Sequence, residues 1–304
     1  MSRRQRGKGR TAAMGAITRD GILKSVILPM AVLATFLLLS GFGTAGARAL
    51  IINTQTQGIL SVLELIDEVK SSDIVFVGES HDNPAHHAVQ LEIIRSLRES
   101  NGKLAIGLEM FLAGSQGELD DWVAGSTPED MFVRIFNENW ERGSWPLYRP
   151  IFLYARDHRI PLVGLNLDRS IVREVARSGS QSLRSGNVPG VRDVKCDASE
   201  RYQRYLRKVL RGHGRHAGYH WFCEAQMLWD AAMAWNLIDF AESNQDITVV
   251  VIAGGGHSWK HGIPERIARQ STLSYKVILP SGEKDSFGYD ISHEEADFVW
   301  WIDA

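Results

Sequence analysis

Five short apolar runs set the rhythm of the chain: residues 74–78 (IVFVG), 104–109 (LAIGLE), 160–165 (IPLVGL), 247–253 (ITVVVIA) and 274–279 (SYKVIL). Each is continuous rather than alternating, the pattern of a strand covered on both faces. Helical patterns separate them. The spacing predicts a helix over 84–99, with Asp82 or Asn83 as its cap and Pro84 at its first position. A second is predicted over 222–242, where Phe222, Gln226, Trp229, Met233 and Leu237 recur at helical spacing. Strands alternating with helices imply an α/β fold, a largely parallel central sheet with flanking helices. Two stretches break the alternation. Residues 113–150 are rich in Trp, acids and Gly, and residues 178–222 run from a Ser/Gly loop into a basic helical stretch from about residue 198. Both read as helical insertions over the carboxyl edge of the strands, within a single domain of residues 50–304.

The first 49 residues follow a different pattern. An apolar run over 25–42 (SVILPMAVLATFLLLSGF) is preceded by basic residues and followed by Ala47-Arg48-Ala49. Basic region, apolar region and small-residue site make a cleavable secretory signal. The rival reading is an uncleaved anchor, because 18 residues lie at the lower edge of spanning length. Phe42 stands where a lipoprotein cysteine would have to be, so no lipobox is present. The expected location is outside the cytoplasm, periplasmic or membrane-associated.

This division changes the meaning of the charge. The 304 residues carry a formal net charge of -2, but residues 1–49 hold eight Lys/Arg against the single acid Asp20. Removing that +7 leaves -9 on residues 50–304. With 44% hydrophobic and 23% charged residues the chain is a folded globular protein, neither disordered nor a small disulfide scaffold. An acidic exported domain without a known reader motif excludes nucleic acid as a partner. The two cysteines, Cys196 and Cys223, lie in the exported part. They are either a disulfide, as an oxidising compartment permits, or two thiols. Neither has zinc-ligand spacing.

Candidate chemistry collects where the apolar runs stop. The first ends in Gly78-Glu79-Ser80-His81, the second in Glu109, the third runs into Asn166, and the fourth ends in Gly254-Gly255-Gly256-His257. In an open parallel sheet these carboxyl ends share one edge, where ligands bind. Glu79, His81, Glu109 and His257 are thus expected to meet, as catalytic groups or as ligands of a divalent metal, supported by Asn166, Gln226 and Asp230. Each has a plainer alternative as a helix cap or turn residue. The three glycines lack the Lys-Ser/Thr of a phosphate-binding loop. Gln226 and Asp230 stand four apart on the second helix, and an acid beside a buried Trp229 needs a partner. The dense basic stretch from Arg201 to Arg215, with Arg211 near its end and His213, His216 and His220 following or within it, reads either as a solvated face or as a site for an anionic ligand.

Four segments together resemble a known family. Val77-Gly-Glu-Ser-His-Asp-Asn-Pro-Ala-His-His87, Gly107-Leu-Glu-Met-Phe111, Glu224-Ala-Gln-Met-Leu-Trp-Asp230 and Ala253-Gly-Gly-Gly-His257 are similar, in this order, to the motifs of ChaN-type haem-binding uptake proteins. These belong to a superfamily with Tiki, TraB and erythromycin esterases. The resemblance covers roughly residues 60–280. It implies haem bound at a homodimer interface, a role in bacterial haem or iron acquisition, and an outer-membrane haem receptor as partner. Relatives anchored as lipoproteins differ from this chain, which lacks their cysteine.

Two functions follow. A haem-binding protein needs an apolar slot, an axial ligand and basic groups for the propionates. Trp229 is expected in the slot, His87, Tyr202, Tyr205, His213 or His216 as axial ligand, and Arg211 with its basic neighbours at the propionates. The alternative is a hydrolase in which Glu79, His81, Glu109 and His257 activate water, with or without a divalent metal.

Overall fold

The structure, a computed structural model, describes residues 50–183, 188–189, 191, 194–212, 218–281 and 291–302. The expected signal at residues 1–49 therefore lies outside the described residues, as do His213 and His216. In chain order the elements are β1 (Leu50–Asn53), β2 (Ile59–Leu60), α1 (Val62–Val69), β3 (Ile74–Glu79), α2 (Pro84–Asn101) and β4 (Leu104–Leu112). There follow α3 (Gln116–Ala124), α4 (Glu129–Asn139), α5 (Trp145–Asp157), β5 (Leu162–Asn166), α6 (Arg169–Ser178), α7 (Glu200–Gly212) and α8 (Tyr219–Ser243). The chain then runs through β6 (Thr248–Gly254), the short α9 (Gly255–Ser258), α10 (Ile263–Gln270), β7 (Tyr275–Ser281) and β8 (Phe298–Trp301).

Eight strands form one sheet in the order β2-β1-β8-β7-β3-β6-β4-β5. Every pairing from β8 to β5 is parallel, and β1 adds antiparallel to β8 and to β2. The five expected strands are all present, each within a few residues of its apolar run. β1, β2 and β8 were not legible: two to four residues each, they are too short to set a periodicity of their own.

Within the apolar runs a period of two still operates. Val75, Val77, Ile106, Leu108, Val250 and Ile252 point to one face, covered by α1, α2 and the helices α3 to α5. Phe76, Ala105, Val249, Val251 and Ala253 point to the other, covered by α8 and α10. Both faces are buried, so both phases of the alternation are apolar. The insertion over 113–150 supplies α3, α4 and the start of α5, whose Trp122, Phe132, Phe136 and Trp145 interlock with Phe111 and Phe152 at ring-centroid distances of 4.2–6.2 Å. Asn83 caps α2 by accepting from the Ala85 N–H at 3.0 Å, and Pro84 takes the first turn.

Strand register sets the site. Glu79 stands opposite Gly254 across β3 and β6, and Leu108 opposite Ile252, which places Glu109 one residue further toward the same edge. The β4–β5 register shifts between Leu108 and Leu112. Gly164 permits this, because a Cβ there would overlap the Leu112 carbonyl.

The β5 edge is sealed by side chains rather than by another strand. The Gln116 amide donates to the Leu162 carbonyl at 2.7 Å and accepts from the Gly164 N–H at 3.1 Å, and Asn236 donates to the Leu165 carbonyl at 2.8 Å. Gln116 thus imitates one residue of a neighbouring strand, closing an edge that would otherwise template association. Gln116→Leu leaves two strand groups unpaired and is expected to cost about 1–3 kcal/mol of stability in urea unfolding. A loss below a few tenths of a kcal/mol would show that water replaces the amide.

Candidate functional site

At the carboxyl edge, the first group to explain is Glu79, whose side chain has no exposed surface. The last residue of β3 carries it into the interior, where an unpaired carboxylate would cost several kcal/mol. Four donors surround it. Oε1 accepts from His81 Nδ1–H at 2.7 Å and, by a short bond, from the Tyr148 hydroxyl of α5. Oε2 accepts from Gln90 at 2.7 Å, and His87 Nδ1 stands 3.3 Å away. Gln90 also donates to the Val77 carbonyl at 3.2 Å, so α2 is tied to the strand it follows.

His87 is spent in this cage. Its Nδ1 faces Glu79 and the Gln90 amide oxygen at 3.1 Å, and its Nε2 faces the His81 carbonyl at 3.1 Å. Both ring nitrogens meet acceptors, which suits the imidazolium. Burial opposes that charge, but the hydrogen bond to Glu79 and the carboxylate's field raise His87 above its ordinary pKa. Its neighbour His86 is buried as well, with Nδ1 accepting the Ser80 N–H at 2.9 Å.

Burial likewise opposes the charge on His81, yet its bond to Glu79 and the fields of Glu109 and Glu79 raise it to about 9. The reverse holds for Glu79: burial pushes it up, and its bonds to His81 and His87 outweigh this and hold it well below the usual carboxylate range. The pair is an ion pair at neutral pH. Tyr148 is raised by burial and by Glu79, so it remains a donor. The His81 ring meets Trp140 edge-to-face at a centroid distance of 5.1 Å, and the Arg169 guanidinium lies over the indole at 4.7 Å.

A second carboxylate–imidazole pair approaches from α8 and α9. His257 Nδ1–H donates to Asp230 at 2.5 Å, and Asp230 also accepts from the Tyr202 hydroxyl of α7 at 2.9 Å. The Gln226 amide donates to the same hydroxyl at 3.3 Å. Burial pushes the Asp230 carboxyl up; His257, opposed by burial, is raised by Glu109 and Asp230, so the pair keeps a proton between its members. Burial raises Tyr202 far above its ordinary value, with the Asp230 charge adding to it.

Glu109 lies between the two pairs. One oxygen accepts the Gly254 N–H at 2.6 Å, and the other is 3.6 Å from His257 Nε2. His81 lies alongside, since a Cβ on Gly254 would stand 3.0 Å from its Nε2 and 3.5 Å from Glu109. Asn166 donates to the Glu109 carbonyl at 2.6 Å and accepts from the Trp229 indole at 2.7 Å. Trp229 closes the cluster with its ring edge on His257, centroids 4.8 Å apart.

Glu79, His81, Glu109, His257, Asn166, Gln226, Asp230, Trp229 and Tyr202 are thus brought to one edge. Tyr205 borders it, its hydroxyl against Gly256 and its ring 4.7 Å from Trp259. Arg211 is exposed near the end of α7. Gln90 and Tyr148, which complete the Glu79 cage, were missed. Gln90 had a signal, lying three residues after His87 on one helix face. Tyr148 had none, because only the tertiary fold brings α5 to β3.

The divalent metal expected at Glu79, His81, Glu109 and His257 is not supported. Among the described residues no three His, Cys, Asp or Glu side chains are grouped to hold a metal ion. The reason is hydrogen bonding: both Glu79 oxygens are occupied by donors, and one Glu109 oxygen is held by Gly254. What the cluster does hold is two imidazole–carboxylate pairs, each sharing a proton, with Glu109 between them.

A profile of the family described as haem-binding uptake, Tiki superfamily, ChaN matches residues 65–267, from α1 into α10. Among solved structures, ChaN of Campylobacter jejuni, described with cofacially bound haem, has a TM-score of 0.66 at 20% identity, over 84% of this chain and 97% of that one. Among curated proteins, Protein RETICULATA-RELATED 5, chloroplastic, of Arabidopsis thaliana is 23% identical over 262 residues, 78% of this chain. The chain spans 35% of that protein's length.

The Glu79–His81 pair predicts a pH dependence. His81 is raised from 6.5 to about 9, so its contribution is complete below pH 6.5 and is lost as pH rises through about 9. Its ring is about one-third exposed, so after solvent screening the loss is on the order of 1–2 kcal/mol. Thermal melts between pH 6 and 10 should show this decline in the native protein and a smaller one in His81→Gln, where His87 and His257 still titrate. A native profile flat across the window would mean that His81 is neutral.

Proposed function

Because the chain belongs to the ChaN haem-binding uptake family of the Tiki superfamily, we propose that it is an exported haem-binding protein acting in haem or iron uptake. The match of the family profile to residues 65–267, which span every residue of the strand-end cluster, carries this reading. It is favoured over the hydrolytic alternative.

A haem requires an apolar platform, an iron ligand and cations for its carboxylates. The strand-end cluster does not fit. Among the expected ligands, His87 and Tyr202 are buried with their polar atoms engaged, and the Trp229 N–H is bound to Asn166. The end of the α7–α8 hairpin does fit. Trp221 is 39% exposed there, against the general burial of large apolar groups. Beside it His220, its side chain 70% exposed, is held at 3.1 Å by the buried Glu224, which also accepts the Ser180 N–H at 2.8 Å. A carboxylate behind an imidazole fixes its orientation and raises its basicity toward a metal. Arg211 lies exposed toward the same end, and Arg207 stacks on Tyr219 at 4.4 Å. Trp221 would supply the apolar contact, His220 the iron donor, and Arg211 a partner for a propionate; the bound group supplies the iron chemistry. Tyr205, on the inner side of α7, borders the cluster instead.

Export is supported by the Cys196–Cys223 disulfide, with a Cα–Cα distance of 5.2 Å, because such bonds persist in oxidising compartments. The apolar run at 25–42, read as the signal or anchor, belongs to the same proposal. So do a homodimer that covers the Trp221 face and an outer-membrane receptor that delivers haem. No described helix is long and apolar enough to cross a membrane.

The test is titration of the purified protein with haemin, read as a saturable Soret shift. His220→Ala and Trp221→Ala should each weaken binding about tenfold, or ~1.4 kcal/mol, while Tyr202→Phe leaves it unchanged. An unshifted Soret band on native protein defeats the haem reading.

A further inference from the structure

Helix α7 meets the large cores through Tyr205, which packs on the one that holds Trp259. Its inner face, Tyr202 and Leu206, forms a small cluster of its own with Ala198, Cys223 and Met227. That cluster lies directly over the second imidazole–carboxylate pair. Tyr202 donates to Asp230 at 2.9 Å, and the Tyr205 hydroxyl abuts the backbone at Gly256, next to His257. The two tyrosine rings stack at 5.9 Å, and His257 beneath them is 8% exposed. Asp230 and His257 are shielded from water on this side by one helix of 13 residues with a small apolar footing.

The cover has a covalent tie at its start. Cys196 lies four residues before α7, and its sulfur is joined to Cys223 in the second turn of α8. Cys223 is fully buried, whereas Cys196 is only partly buried. The other ties flanking this point are non-covalent. Asp197 accepts two bonds from the buried Arg266, at 2.8 and 3.2 Å, and pairs with Arg269, while Arg201 of α7 pairs with Glu294 at 3.1 Å and with the buried Glu295. Ser199 caps α7 by accepting the Tyr202 N–H at 3.2 Å and meets His261 Nδ1 at 3.3 Å. None of these restrains the chain in the unfolded segment as a cross-link spanning 27 residues does.

We propose that α7 is a redox-latched cover over the Asp230–His257 pair, closed while Cys196 and Cys223 are joined and released when a dithiol reduces them. In the reaction a thiolate of the dithiol attacks Cys196 Sγ and breaks the S–S bond, forming a mixed disulfide. The second thiolate of the reductant displaces Cys196, so that Cys196 and Cys223 leave as thiols and the reductant as its own disulfide. Two electrons and two protons pass to the protein. In an oxidising compartment the cover stays shut. Contact with a dithiol, or arrival in a reducing compartment, opens it and gives solvent access to His257. This device stands on the α7 packing alone and does not depend on what the outer face binds.

Hydrogen exchange read by mass spectrometry on the full chain tests it, comparing the oxidised protein, the protein reduced with dithiothreitol, and Cys196→Ser. Peptides spanning Glu200–Leu210 should exchange about tenfold faster or more after reduction and in Cys196→Ser, while β3, β4 and β6 keep their protection. His257 should become reactive to diethyl pyrocarbonate in the reduced form, and reoxidation should reverse both effects. If α7 exchange changes less than about twofold, the disulfide is not the latch. If the central strands lose protection together with α7, the disulfide is a global brace and the proposal fails.

Discussion

A carboxylate with no exposed surface at the end of a central strand is the constraint from which the rest of this edge follows. Glu79 can stay ionised in the interior only if its oxygens are met by donors, and those donors come from three parts of the chain: His81 just beyond β3, His87 and Gln90 on α2, and Tyr148 on α5. Each recruitment fixes a distance between elements. Gln90 binds both Glu79 and the Val77 carbonyl, so α2 cannot slide along β3. Tyr148 brings α5, and with it the aromatic cluster of α3 to α5, against the strand ends. Removing one donor would leave a buried charge short of a partner, which costs far more than the bond contributes when present.

The same edge carries a second solution to the same problem. Asp230 is buried on α8 and is balanced by His257 and by Tyr202 from α7. Between the two sits Glu109, held by the Gly254 N–H. Three carboxylates and three imidazoles therefore meet at this edge as two hydrogen-bonded groups with Glu109 between them, bordered by Trp140, Trp229 and α7. Such a cluster specifies the fold of the edge, and the polar atoms of His87, Tyr202 and Trp229 are engaged within it. In the proposed haem site, the features suited to a flat anionic ligand are Trp221 and His220 at the start of α8.

Much of this was legible from residue order. Continuous apolar runs gave five strands because both sheet faces are covered, and polar residues at their ends gave Glu79, His81, Glu109, Asn166 and His257, since a parallel sheet puts those ends on one edge. The pairing of Asp230 was foreseen as a need, an acid beside Trp229, without its partner. Tyr148 and the sealing of β5 by Gln116 were not legible, because each depends on a contact between elements distant in sequence. The roles expected of His87 and Tyr202 illustrate the limit. A residue type suited to binding iron is equally suited to satisfying a buried carboxylate, and only the fold decides which is nearer.

The central claim is that haem contacts the α7–α8 end and leaves the strand-end cluster closed. Ferric haem broadens nearby resonances, so indole N–H signals from the nine tryptophans, labelled with 15N, report its position directly. On haemin addition the account predicts broadening of the Trp221 indole, with Trp140 and Trp229 sharp. Broadening of Trp140 and Trp229 with Trp221 unaffected would place the ligand in the cluster and contradict it.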